Sequence, residues 1–190
     1  MSLVSMVFGS NFVSVVSDGL ATDGEGNVVS TNFKKFKVYN DKFIMTISGS
    51  SAVFDHIFED VERALQHFDA DYVMKKMANE ISNADMTISP YMTVMMLNLA
   101  NDGFYGIIQK AGEPVSTVVK PYERQYIYWI SSPIGSDSQS VGNKLNEFIN
   151  KAKEIDLKSI RKAQIQLNNY IAAQYPDSVN RNVSQYQFII

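Results

Sequence analysis

The sequence predicts an α+β fold built of stacked layers, and three observations carry that prediction. Short strand-like runs are apolar on both faces, two blocks of helix-period residues interrupt them, and the order is strands, two helices, strands, two helices, strand. Runs such as Val13-Ser14-Val15-Val16 and Ile44-Met45-Thr46-Ile47 offer no clean polar face to water, so each sheet needs cover on both sides. Helices on one face and a second sheet on the other would supply it.

The first third reads as hairpin strands cut by turn residues: Val4 to Phe8, Phe12 to Ser17 after Gly9-Ser10-Asn11, Val28-Val29, Phe36 to Tyr39, and Phe43 to Ile47. From Ser50 the period changes. Val53, Ile57, Val61 and Leu65 recur every four residues, with Ala64 and Phe68 beside them, as in an amphipathic helix lying on a sheet. Asp71 is the expected N-cap of a second helix, which continues through Val73, Met77 and Ile81 to Asn83-Ala84-Asp85.

Strands return at Tyr91 to Leu99 and Phe104 to Gln109, joined by Asn101-Asp102-Gly103, whose Asp-Gly pair supplies the positive φ of a tight turn. Gln125 to Ile130 is extended. One helix runs from Val141 towards Lys153 through Leu145, Phe148 and Ile149, and another from Leu157 to Tyr175, halting before Pro176. Tyr186 to Ile190 closes as a strand. No repeat, linker or low-complexity tract divides the chain, and 190 residues suit one domain spanning residues 1–190.

Composition narrows the function classes. Hydrophobic residues at 45% and charged residues at 19% describe a globular chain rather than a disordered tail. A net charge of −3 with no basic stripe leaves little to neutralise phosphates, so no nucleic-acid partner is expected. The opening residues lack the Lys or Arg of a secretory signal, and the densest apolar run elsewhere, Val94 to Leu97, falls far short of the ~20 residues that span a bilayer. With no cysteine there is no disulfide framework or thiolate site, and the expected setting is the cytoplasm, without membrane contact.

His56 and His67 lie too far apart along a helix to share a metal, and no metal or organic cofactor is expected. The methionines, Met74, Met77, Met92, Met95 and Met96 among them, suit irregular packing between layers. Lys151, Lys153, Lys158, Arg161 and Lys162 are interspersed with Glu147, Glu154 and Asp156, the pattern of a solvated face.

Four local motifs, in order, give the chain a family resemblance. They are Ser17-Asp18-Gly19-Leu20-Ala21-Thr22, a strand end carrying an acid; Phe33 to Lys42, a Lys-Lys strand followed by an Asn-Asp turn; Ile44 to Ser50, a strand and glycine turn leading into a helix; and Ile134-Gly135-Ser136-Asp137-Ser138, a loop ahead of a helix. Together they resemble the proteasome β-subunit family, particularly its bacterial HslV-type branch, over nearly the whole chain. The resemblance implies an N-terminal nucleophile (Ntn) hydrolase fold: a four-layer αββα sandwich of two antiparallel sheets, each with a helix pair outside. It also implies self-association, with a homo-oligomer or ring as the expected form.

The same resemblance implies a site. In that family the hydroxyl of the first mature residue attacks an amide carbonyl while its own amine takes the proton. Counting back from Asp18 puts Ser2 at the nucleophile position, exposed once Met1 is removed, where relatives usually carry Thr. Lys35 would lower the nucleophile's pKa and Asp18 would fix the lysine; Gly49 would offer a backbone N–H to the oxyanion, and Ser136 would relay protons beside the amine. Asp137 stands where the family loop has a second glycine, and the family's late Asp and Ser pair is matched only loosely by Asp177 and Ser178.

Read without the resemblance, Asp18 shapes a turn before Gly19, Lys35 sits with Lys34 and Lys37 on a strand edge, and Gly49 makes a tight turn. Two functions follow. One is hydrolysis of a peptide or small amide; the other is a paralogue that keeps the sandwich without turnover and serves assembly or binding.

Overall fold

The strands with two apolar faces are the two inner layers of a sandwich. The structure is a computed structural model that describes residues 2–23, 25–49, 54–85, 91–123 and 125–190. Met1, Ser50 and Val53 lie outside the described residues, so neither the terminal methionine nor the first residues of the expected first helix enter the description.

One sheet is built from β1 (Val4–Phe8), β2 (Phe12–Asp18), β9 (Ile127–Ser131) and β10 (Val183–Ile189), in the order β10-β2-β1-β9. The other is a meander of β5 (Phe36–Tyr39), β6 (Phe43–Ser48), β7 (Thr93–Ala100) and β8 (Gly103–Lys110) in chain order. Every pairing in both sheets is antiparallel. A short hairpin of β3 (Ala21–Thr22) and β4 (Val28–Ser30) stands apart.

Helices α1 (Phe54–Leu65) and α2 (Ala70–Ser82) cover the meander, while α3 (Ser138–Asn150) and α4 (Leu157–Gln174) cover the other sheet. Alternation decides which residue serves which layer. On β6 and β7, Met45, Ile47, Val94 and Met96 face α1 and α2, whereas Ile44, Met95 and Leu97 meet Met6, Phe8, Val13 and Val15 of the facing sheet. Leu3 and Val7 turn the other way, onto Leu145, Ile149, Ile160 and Leu167 of α3 and α4. The result is the expected αββα sandwich, with a core between each pair of layers.

Local chemistry sets the boundaries. Asn40 and Asp41 both have positive φ, 50° and 55°, as a two-residue type I′ turn requires, and Lys42 N–H donates to the Tyr39 carbonyl at 3.1 Å across it. The N-cap of α2 is Asp69 rather than the expected Asp71: its carboxylate accepts from Tyr72 N–H at 2.8 Å, and Asp71 falls in the first turn, where its charge suits the helix dipole. α3 begins three residues before Val141 because Asp137 caps it, accepting from Gln139 and Ser140 N–H. β10 begins at Val183, ahead of the expected Tyr186, because its pairing with β2 runs on to Asp18. Among the described residues, no helix is long and apolar enough to cross a membrane.

Candidate active site

The site grows from the end of β2. Asp18 is 0% exposed, and each carboxylate oxygen is occupied. Oδ1 accepts from Leu3 N–H at 2.8 Å and from Lys35 Nζ at 2.7 Å, while Oδ2 accepts from Leu20 N–H at 2.8 Å. Asp18 N–H in turn donates to the Leu3 carbonyl at 3.0 Å. One carboxylate thus fixes the segment entering β1, the turn leaving β2, and a lysine arriving from the opposite sheet.

Lys35 sits just ahead of β5 and is held by the ladder, since Ile47 N–H donates to its carbonyl at 3.0 Å. Its side chain is 1% exposed, whereas Lys34 is exposed and Lys37 half-buried beside Glu62. The edge-strand reading therefore holds for its neighbours and fails for Lys35. Burial pulls the Lys35 ammonium below the ordinary lysine range, and the Asp18 charge opposes that pull. An exposed lysine would feel neither.

Asn180 completes the frame. Its Oδ1 accepts from Gly19 N–H at 3.0 Å and its Nδ2 donates to the Thr31 carbonyl at 2.8 Å, while Phe33 N–H donates to the Gly19 carbonyl at 2.8 Å. The loop before β10 thereby clamps the turn that carries Asp18 and the segment that leads to Lys35. Nothing local in the sequence marks Asn180, because its partners lie about 150 residues away along the chain.

Ser2, Lys35 and Gly49 line one cavity of about 20 Å³, walled by Leu20, Phe33 and Phe54 and completed by Asp177 and Ser178. Ser2 is 5% exposed. Asp177 and Ser178, a loose match in sequence to the family's late pair, thus come to the same hollow as Ser2. Gly49 has φ +131°, and a Cβ there would lie 3.0 Å from Met92 Cα, so both conformation and space call for glycine.

Ser136 lies elsewhere. Its Oγ donates to the Pro133 carbonyl at 2.6 Å, and it borders a separate cavity between α3 and α4 with Asp137, Lys144 and Tyr170. The two sheets are tied near Gly49 by a hydroxyl pair, Ser48 Oγ with Ser131 Oγ, both buried. His56 and His67 are exposed, and among the described residues no group of His, Cys, Asp and Glu could hold a metal.

Chemically, a buried ammonium paired to a carboxylate can steady negative charge on a neighbouring oxygen, and a backbone N–H at a glycine turn can do the same for a carbonyl oxygen. Two antiparallel sheets stacked between helix pairs make up the fold of HslV and the proteasome-like Ntn hydrolases. Among solved structures, the chain is similar to eukaryotic HslV from Trypanosoma brucei, with a TM-score of 0.66 over 99% of each chain at 16% identity. It is similar also to Thiobacillus denitrificans BPH, with a TM-score of 0.62 over 98% of this chain and 97% of that one at 18% identity. The same protein in complex with epoxomicin gives 0.62 over 98% of both chains at 19% identity. No family model matches the sequence, and no curated protein matches it significantly. At these identities the likeness defines the fold alone.

Proposed function

We propose that the chain is an HslV-like Ntn amide hydrolase forming one domain over residues 1–190, with Ser2 as nucleophile once Met1 has been removed. Ser2 Oγ attacks the amide carbonyl carbon and its proton passes to the Ser2 α-amine; Gly49 N–H receives the developing oxyanion. The α-ammonium then protonates the leaving amine as the C–N bond breaks. Water, deprotonated by the same amine, cleaves the resulting ester and restores Ser2. Lys35 steadies the serine oxygen, and Asp18 is a positioning residue that holds Lys35. Ser136, which the resemblance gives to proton relay, borders a different cavity with its hydroxyl donated to the Pro133 carbonyl and has no part in these steps.

One observation carries this reading: a fully buried Lys35–Asp18 pair at the wall of the hollow that holds Ser2 and Gly49. A buried ion pair adds little to stability compared with apolar residues of the same volume, whereas perturbed charges cluster at reacting centres. The substrate is a peptide or small amide, the setting the cytoplasm, and the chain self-associates without nucleic acid or membrane. A hollow of about 20 Å³, room for about one water, favours the second reading of a non-catalytic assembly or binding paralogue.

The experiment is to prepare protein whose first residue is Ser2, and to measure cleavage of fluorogenic amides and, by mass spectrometry, a covalent epoxomicin adduct. Hydrolysis that falls about 10²–10⁴-fold in Ser2→Ala and Lys35→Met supports the enzyme. An unmodified, inactive protein with a free Ser2 amine supports the paralogue.

A further inference from the structure

The two outer helix layers carry opposite charge. α1 presents Asp55, Glu59, Asp60 and Glu62, all exposed, against a single cation of its own, Arg63. Asp60 pairs with Arg63 and Glu62 with Lys37, which leaves Asp55 and Glu59 without an ion-pair partner among the described residues. Spaced four apart, these two carboxylates share one face of the helix.

α4, on the far side of the sandwich, carries Lys158, Arg161 and Lys162 and no acidic residue at all. Lys158 and Lys162 are also four apart and exposed. Lys158 stands in the first turn, where the helix dipole disfavours a cation, although its charge adds to the hydrogen bonds from Ser159 in holding the Asp156 carboxyl below its ordinary range. Both lysines border an open cavity of about 570 Å³ at the α3–α4 turn, with Lys151 and Lys153 on its rim and Phe148 and Ala152 in its lining. Glu154 and Asp156 border it too, Asp156 capping α4 by accepting from Ser159 N–H at 2.7 Å, and Lys151 is paired with Glu147 at 2.5 Å, so among the described residues the free positive charge of the hollow rests on Lys153, Lys158 and Lys162.

We propose that this basic hollow receives α1 of a second copy of the chain, with Lys158 and Lys162 opposite Asp55 and Glu59. A convex helix bearing two carboxylates outside any ion pair, at one-turn spacing, meets a concave surface bearing two exposed ammoniums at the same spacing. Because the two surfaces differ, the contact is heterologous, and each copy keeps one free surface of each kind until a ring closes or a filament grows. The proposal rests on the self-association put forward above and adds the surfaces that make it.

Sedimentation velocity of the full chain tests it, at ionic strengths of about 50 mM and about 500 mM. The oligomer should weaken about tenfold or more at the higher salt and in either Lys158→Glu/Lys162→Glu or Asp55→Lys/Glu59→Lys. An equimolar mixture of the two double variants should restore it, since each then offers what the other lacks, a recovery that misfolded variants could not give. An oligomer indifferent to salt and to both reversals overturns this contact while leaving self-association standing, as does a mixture that stays dissociated. A monomer in every buffer overturns both.

Discussion

Replacing Asp18 by Asn removes the charge that accompanies Lys35 while keeping the side chain's size. The ammonium, 1% exposed, is then left without its counter-ion, and folding favours the neutral amine. A lysine obliged to fold neutral costs about 1.4 kcal/mol for each pH unit below its free value. With that free value at 10.5, the ceiling is about 5 kcal/mol at pH 7 and about 1.4 kcal/mol at pH 9.5. The sign follows from proton counting: the unfolded chain binds the proton that the folded chain sheds, so the deficit shrinks as pH rises towards 10.5. The wild-type lysine, already lowered by burial, shows the same slope more weakly because Asp18 opposes the shift.

Urea unfolding followed by circular dichroism at the two pH values reads this directly. Asp18→Asn should lose about 3–5 kcal/mol near neutrality and distinctly less at the higher pH, and adding Lys35→Met should recover most of the loss, because it removes the stranded charge. A loss under about 1 kcal/mol, or one that does not change with pH, would mean that Lys35 reaches water and would refute the reasoning.

Two further substitutions probe the frame around the site. Gly49→Ala should destabilise by about 1–3 kcal/mol, read as a lowered thermal midpoint, because the new methyl group sits at φ +131° and 3.0 Å from Met92 Cα. Gln164→Leu should cost about 1–3 kcal/mol in urea. Gln164, 0% exposed on α4, accepts from Ser14 Oγ at 2.6 Å and donates to the Ser5 carbonyl at 3.0 Å, and leucine would remove both bonds, leaving Ser14 Oγ the longer contact from Gln187 Nε2 at 3.4 Å.

Much of the layering is legible in the sequence because burial on both faces leaves a mark on composition. Val4 to Phe8 and Phe36 to Tyr39 read as strands with the ends they have, and the helix-period stripes of Val61, Val73, Met77 and Ile81 all reach the core. Helix starts are less legible: Asp71 is the cap the pattern predicts, and the backbone path sets the cap two residues earlier, at Asp69. The two-residue β3 carries too little pattern to be read at all.

The site divides along the same line. Asp18, Lys35 and Gly49 are visible through local motifs, but the burial of Lys35 is not, because it depends on a partner sheet that periodicity cannot see. Asp177 and Ser178 show only as a loose match to the family's late pair, and Asn180, which arrives from the same far end of the chain, carries no local signature.

The interleaving of the two sheets bears on how the molecule is made. The meander and its helix pair come from one continuous stretch, so a nascent chain can finish that half while still on the ribosome. The β1–β2 hairpin emerges first and must wait, both its flanks unpaired, until β9 and β10 have been translated. A product truncated before Val183 would leave the outer flank of β2 bare, a ready target for proteases and for stray strand pairing.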